Sequence, residues 1–179
     1  LMLHYMDKIF NYPRAYATKL WFVRTVLSIP ARLVAGIDIT IEEKLTKLKN
    51  MSVADIGCGQ GELSVQFDQY VGLDVSREMI KYCRQNHPGK TFNEITNSAL
   101  PIPDKSVDMS LLINVLHHVQ TRQERINVLK EAERVGKQIL VAESIQSDNS
   151  VVRPVKSFYW MLSDGGFQYH TVSELHTLF

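Results

Sequence analysis

The chain has 179 residues, 45% of them hydrophobic and 22% charged, the composition of one soluble globular domain with a packed core. Its net charge of +1 excludes no class of partner; residues 1–50 carry eight Lys/Arg against four Asp/Glu, a local +4 that leaves −3 for the remainder, a bias as mild as a solvated helix face. The two cysteines, Cys58 and Cys83, have no CxxC neighbours, which argues against a disulfide framework or a zinc site and fits a reducing cytoplasm.

Taken in order, Tyr16, Leu20, Val23 and Leu27 recur at helical spacing until Pro30 ends the run. Leu20 to Ile37 is apolar, but Arg24, Pro30 and Arg32 interrupt it well short of a clean span, so no stable membrane insertion is expected. No basic leader with an apolar core and cleavage site precedes it. Residues 1–39 are read as a helical segment ahead of a main domain at 40–179. Thr40-Ile41-Glu42-Glu43 has the capping-box pattern and opens a short helix to about Asn50.

Met51 to Ile56 reads as a buried parallel strand with Asp55 as its single charge, and it breaks into Gly57, Gly59 and Gly61. Alternate glycines let the backbone turn sharply, take positive φ and approach a ligand closely. Glu62 to Phe67 is expected to open a helix whose first N–H groups face the same ligand. Tyr70 to Val75 is the second strand, with Asp74 at its tip, where a carboxylate beside the glycine loop can accept hydrogen bonds from a ribose diol. Ser76 caps a helix that runs to about Asn86 and stops at His87-Pro88-Gly89. Further strands are predicted at Thr91–Ile95, Val107–Ile113 and Gln138–Ala142, a helix at Thr121–Val135, a tight Gly136-Lys137 turn after it, and a last helix opening at Thr171-Val172-Ser173-Glu174.

Strands alternating with helices predict an α/β fold, a doubly wound Rossmann-like parallel sheet with helices on both faces and a ligand crevice at the strands' carboxyl ends. Asp55, Asp74, Asn114 and Glu143 all fall at or near those ends.

Four motifs in order carry a resemblance: Asp55-Ile56-Gly57-Cys58-Gly59-Gln60-Gly61; Gly72-Leu73-Asp74-Val75-Ser76 with Met79-Ile80; Leu100-Pro101-Ile102-Pro103-Asp104-Lys105-Ser106-Val107-Asp108; and Asn114-Val115-Leu116-His117-His118-Val119. Over roughly residues 40–145 the chain resembles the class I S-adenosylmethionine-dependent methyltransferases, in particular the small-molecule branch of ubiquinone and menaquinone biosynthesis. The resemblance implies S-adenosylmethionine as cofactor, with Asp55 beneath its amino-acid moiety, Gly57, Cys58 and Gly59 along it through their backbone, Asp74 on the ribose, and Val75 and Met79 on the adenine. Where the family commonly has an acid to read the adenine, this chain has Thr96-Asn97-Ser98, so Asn97, Ser98 or a backbone group takes that place, and Asn114 completes the set. It also implies that the N-terminal segment, with Tyr5, Tyr12 and Tyr16, closes over a small-molecule methyl acceptor, and that two more strands would follow the fifth, for which this sequence has no counterpart.

Methyl transfer from a sulfonium is an in-line displacement needing alignment and a dry site; a general base is required only for a protonated nucleophile. His117 and His118 after the fourth strand are the base candidates, with Glu143 and His170 behind them, against the plain reading of a histidine satisfied near a helix start. No His/Asp/Glu cluster has metal-ligand spacing. The expected function is therefore methyl transfer to a small-molecule O, N or C nucleophile, without nucleic acid as partner, since neither an NPPY-type run nor a basic patch with interleaved aromatics occurs. A methyltransferase-like scaffold without turnover is the second reading. A nucleic-acid methyltransferase is a weaker one, as is a nicotinamide oxidoreductase, which Glu62 disfavours by standing where the dinucleotide fingerprint has its third glycine.

Overall fold

The computed structural model describes residues 45–146, 153–154 and 169–178. The expected N-terminal helices, Tyr5, Tyr12, Tyr16 and the Thr40 capping box lie outside them, and residues 45–47 are helical just inside.

Five strands, β1 (Val53–Ile56), β2 (Tyr70–Asp74), β3 (Thr91–Glu94), β4 (Val107–Ile113) and β5 (Gly136–Ala142), form one sheet in the order β3-β2-β1-β4-β5. Every pairing is parallel. The reversal of strand order at β1 puts a crevice between the carboxyl ends of β1 and β4, as expected of a doubly wound sheet.

Strand alternation divides the core in two. Val53, Met109 and Leu111 point to the side where α1 (Arg77–Asn86) supplies Ile80 and Cys83, with Leu45, Phe67 and Phe92 completing the cluster. Ala54, Ile56 and Leu112 point the other way, to Leu129, Ala132 and Val135 of α2 (Arg122–Val135). Helices thus cover both faces, as the alternating pattern predicted. Ser76 caps α1 by accepting from the Met79 N–H, and Thr121 with Glu124 forms a reciprocal capping box on α2. A second capping box, Thr171 with Glu174, opens α3 (Val172–His176) where the sequence placed a helix start.

Two local expectations fail. Glu62 to Phe67 does not open an α-helix; Glu62–Gln66 is a single 3₁₀ segment entered from Gly61 in the left-handed region at φ 72°. Ser64 is buried there, and the chain must return at once to β2, which leaves room for one tight turn. Nor is Gly136-Lys137 a turn. Gly136 closes α2 through its N–H to the Ala132 carbonyl and is already the first residue of β5, paired with Val107. A Cβ there would meet the Ser110 hydroxyl at 2.3 Å, so the direct passage from helix to strand requires glycine.

The proline loop ahead of β4 is strapped to α2. Arg134 donates to the carbonyls of Leu100 and Ile102 and to Asp104, while Glu131 accepts from the Leu100 N–H. Lys105 donates in turn to the Glu133 and Gly136 carbonyls at the helix C-terminus. The third motif thus holds the scaffold rather than the crevice.

Candidate cofactor site at the carboxyl ends of the strands

The glycine loop leaves β1 with Gly57, Gly59 and Gly61 all at positive φ (78°, 52° and 72°). Gly57 N–H and Cys58 N–H both donate to the Leu73 carbonyl (2.7 and 3.0 Å), which ties the loop to the end of β2. A Cβ on Gly57 would lie 2.7 Å from Val115 Cγ2, whereas one on Gly59 would meet nothing within 4 Å. The backbone is closely packed at its entrance and open at its crest.

Asp74 ends β2 with Oδ2 accepting the Gly59 N–H (2.9 Å) and Oδ1 accepting the Ser76 N–H (2.8 Å). A carboxylate has about four acceptor positions, so both oxygens keep capacity for a ligand diol. Asp55 is buried beneath the loop, 3% exposed, with Tyr70 Oη donating to it at 2.6 Å. Burial pushes the Asp55 carboxyl up to about 6; the Tyr70 hydrogen bond opposes this and the nearby Asp74 charge adds to it. Burial likewise raises Asp74, against the pull of its backbone N–H donors. Burial disfavours the ionised form of both carboxylates, so a cation placed beside them would favour their ionisation, and the amino group and sulfonium of S-adenosylmethionine are cations. The open crest at Gly59 and the spare lone pairs of Asp74 fit the rest of that molecule.

Around this cradle, Val75 is 67% exposed beyond β2, while Met79 turns into the core at 7%. Of the two residues expected on an adenine, Val75 alone presents its side chain outward. Asn97 and Ser98 are exposed on the loop after β3, which leaves from beside Asp74 through the Ile95 N–H to the Asp74 carbonyl. The Cys58 and Cys83 thiols are free and buried, and Cys83 Sγ donates to the Gly59 carbonyl at 3.1 Å under the loop.

On the other side of the crevice, Asn114 stands at φ 56° with its Oδ1 accepting from the Ser144 N–H and hydroxyl. His117 is 1% exposed, its Nδ1 2.7 Å from Glu143 Oε2 and its ring stacked 4.8 Å from Tyr169. His118 is half-buried, its ring 4.2 Å from that of His117. His170 sits near Glu174, held below its ordinary pKa by burial and then by the Arg125 charge. Glu143 accepts from the N–H groups of Val115 and Leu116 as well as meeting His117.

The structure therefore gathers Asp55, the glycines, Asp74 and Val75 on one side of the crevice and Asn114, His117 and Glu143 on the other. Sequence reasoning missed Tyr70 and Tyr169 as partners of Asp55 and His117. Only the parallel register, Val53 opposite Tyr70, brings the first within reach, and no sequence signal joins positions 117 and 169. Among the described residues no group of three metal-ligating side chains occurs.

Comparison with known proteins agrees with this geometry. Residues 54–139 match the family described as Methyltransferase domain. The match covers just under half of the chain, and together with the crevice geometry it supports S-adenosylmethionine rather than a nicotinamide as the cofactor. A tRNA (carboxymethyluridine(34)-5-O)-methyltransferase of Mus musculus is 36% identical over 87 residues, 46% of this chain and 12% of that protein. The enzyme of the same name from Saccharomyces cerevisiae is 35% identical over 80 residues, 42% of this chain and 28% of its own length. The match thus spans under a third of the length of either relative. A SAM-dependent methyltransferase structure from Thermotoga maritima superposes with a TM-score of 0.60 at 21% identity, covering 89% of this chain and 77% of that one, and it shares the fold.

These relatives correct the expected partners. The sequence points to a small-molecule acceptor without nucleic acid as partner and leaves a nucleic-acid methyltransferase as a weaker reading, yet the relatives named above are tRNA methyltransferases. The error has a physical origin: the motifs that carried the resemblance make the cofactor half of the crevice, and acceptor choice is not written there. No helix among the described residues is long and apolar enough to cross a membrane.

Proposed function

We propose that this chain methylates a nucleoside of RNA, of the tRNA class, with S-adenosylmethionine as donor. The observation that carries the reading is the 35–36% identity to two tRNA methyltransferases over 80 to 87 residues. The donor supplies an activated methyl group on a sulfonium. Asp74 is assigned to the ribose diol, the Gly57–Gly59 backbone to the amino-acid moiety, Asp55 to the positive charge above it, and Val75 with Asn97 or Ser98 to the adenine.

The acceptor side supports a reaction that needs no general base. His117 is buried with Nδ1 against Glu143, the position of a group that shapes a loop rather than one that collects a proton from a substrate. A carboxylate oxygen, the acceptor in the relatives' printed activity, carries no proton to remove. Alignment in a dry crevice is then the main requirement.

The test is incubation of the chain with labelled S-adenosylmethionine and total tRNA, followed by nucleoside digestion and mass analysis. One nucleoside should gain a methyl group, and Asp74→Ala should abolish it. Cofactor binding with no methylated nucleoside in tRNA or any other RNA would overturn the proposal and leave the scaffold reading.

A further inference from the structure

Glu143 is the first residue beyond β5, its side chain is 3% exposed, and both its oxygens are committed to the turn after β4. Oε1 accepts the N–H groups of Val115 and Leu116, each at 2.7 Å, and Oε2 meets His117 Nδ1 at 2.7 Å. The turn reciprocates. Asn114 Oδ1 accepts the Ser144 N–H and hydroxyl at 3.0 Å each, and the Asn114 N–H donates to the Ala142 carbonyl at 2.7 Å. Each strand end grips the backbone of the other.

The sheet itself does not need this latch, because β4 and β5 are already paired from Val107 opposite Gly136 to Ile113 opposite Ala142. What it fixes is the segment beyond the ladder, and the residue held there is Val115. Its side chain rests on Gly57, 2.7 Å from where a Cβ would stand, and the Gly57 N–H continues to the Leu73 carbonyl, one residue before Asp74. A continuous path of short contacts therefore runs from Glu143 through Val115 to the glycine loop.

We propose that Glu143 is a positioning residue for the cofactor: by holding the Val115 and Leu116 N–H groups it sets how far Val115 presses on Gly57, and so fixes the glycine loop in its binding conformation. A buried carboxylate is retained at this place because it accepts several charge-assisted hydrogen bonds at once, which a neutral side chain of the same shape does less well. The inference rests on the glycine loop being the cofactor cradle and is independent of which RNA, if any, is the acceptor.

The test is a double-mutant cycle of Glu143→Gln and Val115→Ala, read as the affinity for S-adenosylhomocysteine by calorimetry well below each variant's melting temperature. The Glu143→Gln side chain conserves volume but replaces the charge-assisted bonds to the Val115 and Leu116 N–H groups with weaker neutral ones and turns an amide toward His117, so the hold on Val115 loosens. Each single variant should weaken binding by about tenfold, and the double variant should be little worse than either, since both act through one contact. Binding by Glu143→Gln within twofold of the parent, even with a lowered melting temperature, would make Glu143 a stability residue only and overturn the inference. So would strictly additive losses. A parent chain that fails to bind S-adenosylhomocysteine would instead defeat the cofactor assignment itself.

Discussion

At the carboxyl ends of β1 and β2 the contacts are made by backbone: three glycines at positive φ, with loop N–H groups bound to the Leu73 carbonyl and to Asp74. At the carboxyl ends of β4 and β5 side chains make them: Asn114 and Glu143 each satisfy N–H groups of the opposite strand end, and Tyr169 covers His117. The first half is local, with Asp74 only 15 residues from Gly59; the hydrogen bonds of the second join positions 26 to 30 residues apart. A glycine cradle is fixed by what its residues lack, and a side-chain latch by where the fold places its partners. The two halves meet at one contact, Val115 on Gly57.

Breaking that contact from the glycine side should have the largest effect. Gly57→Ala needs a positive φ of 78° from a residue with a Cβ and drives that Cβ to 2.7 Å from Val115. Strain of this kind costs about 1–3 kcal/mol before the clash is counted. Cofactor binding should fall below detection by calorimetry, and Val115→Ala in the same chain should restore part of it. Gly59→Ala meets no atom within 4 Å and keeps only the backbone strain, so its loss of stability should be the smaller of the two in chemical denaturation.

Asp74→Asn comes next, since an amide cannot accept from the Gly59 and Ser76 N–H groups with both atoms. Affinity for S-adenosylhomocysteine should drop about ten- to a hundredfold, the scale of a lost charge-assisted pair of hydrogen bonds of about 1.5–3 kcal/mol.

Asp55 gives a smaller, pH-dependent effect. Its folded-state pKa, about 6, lies above the ordinary 3.8, so the folded chain holds a proton that the unfolded chain has released between those values. Stability from this group is greatest below pH 3.8 and is lost as pH rises through about 6, a change on the order of 3 kcal/mol. Asp55→Asn should flatten that decline in denaturation midpoints between pH 4 and 7, leaving the part due to Asp74, which is raised in the same direction. A cationic ligand favours the ionised form. S-adenosylmethionine should therefore bind more weakly at pH 5 than at pH 7.5, with proton release on binding visible as a buffer-dependent heat.

Smallest of all is Lys137→Ala. Lys137 reaches Asp108 at 2.7 Å from an exposed position at the opposite end of β5, and Asp108 keeps its Ser52 partners. Neither the melting temperature nor cofactor affinity should change measurably, which separates the ends of the sheet in function.

The parallel α/β architecture, the carboxyl ends of all five strands to within a residue, the capped helices and the glycine loop with Asp74 beside it were legible in the sequence. Apolar runs, glycine spacing and cap residues act within a few positions of themselves, so their meaning survives without the fold. The 3₁₀ segment after Gly61 and the direct entry of Gly136 into β5 were not legible, because the space left by neighbouring elements decided them. Glu143 shows the same limit. Alone it reads as a spare acid at a strand end. Only the parallel register of β4 and β5 sets it opposite the Val115 and Leu116 N–H groups, which it satisfies. Sequence by itself determined a glycine loop after β1 with an acid at the tip of β2; tertiary structure decided how the far wall of the crevice is held against that loop, because hydrogen bonds across 26 or more residues exist only once the sheet has formed.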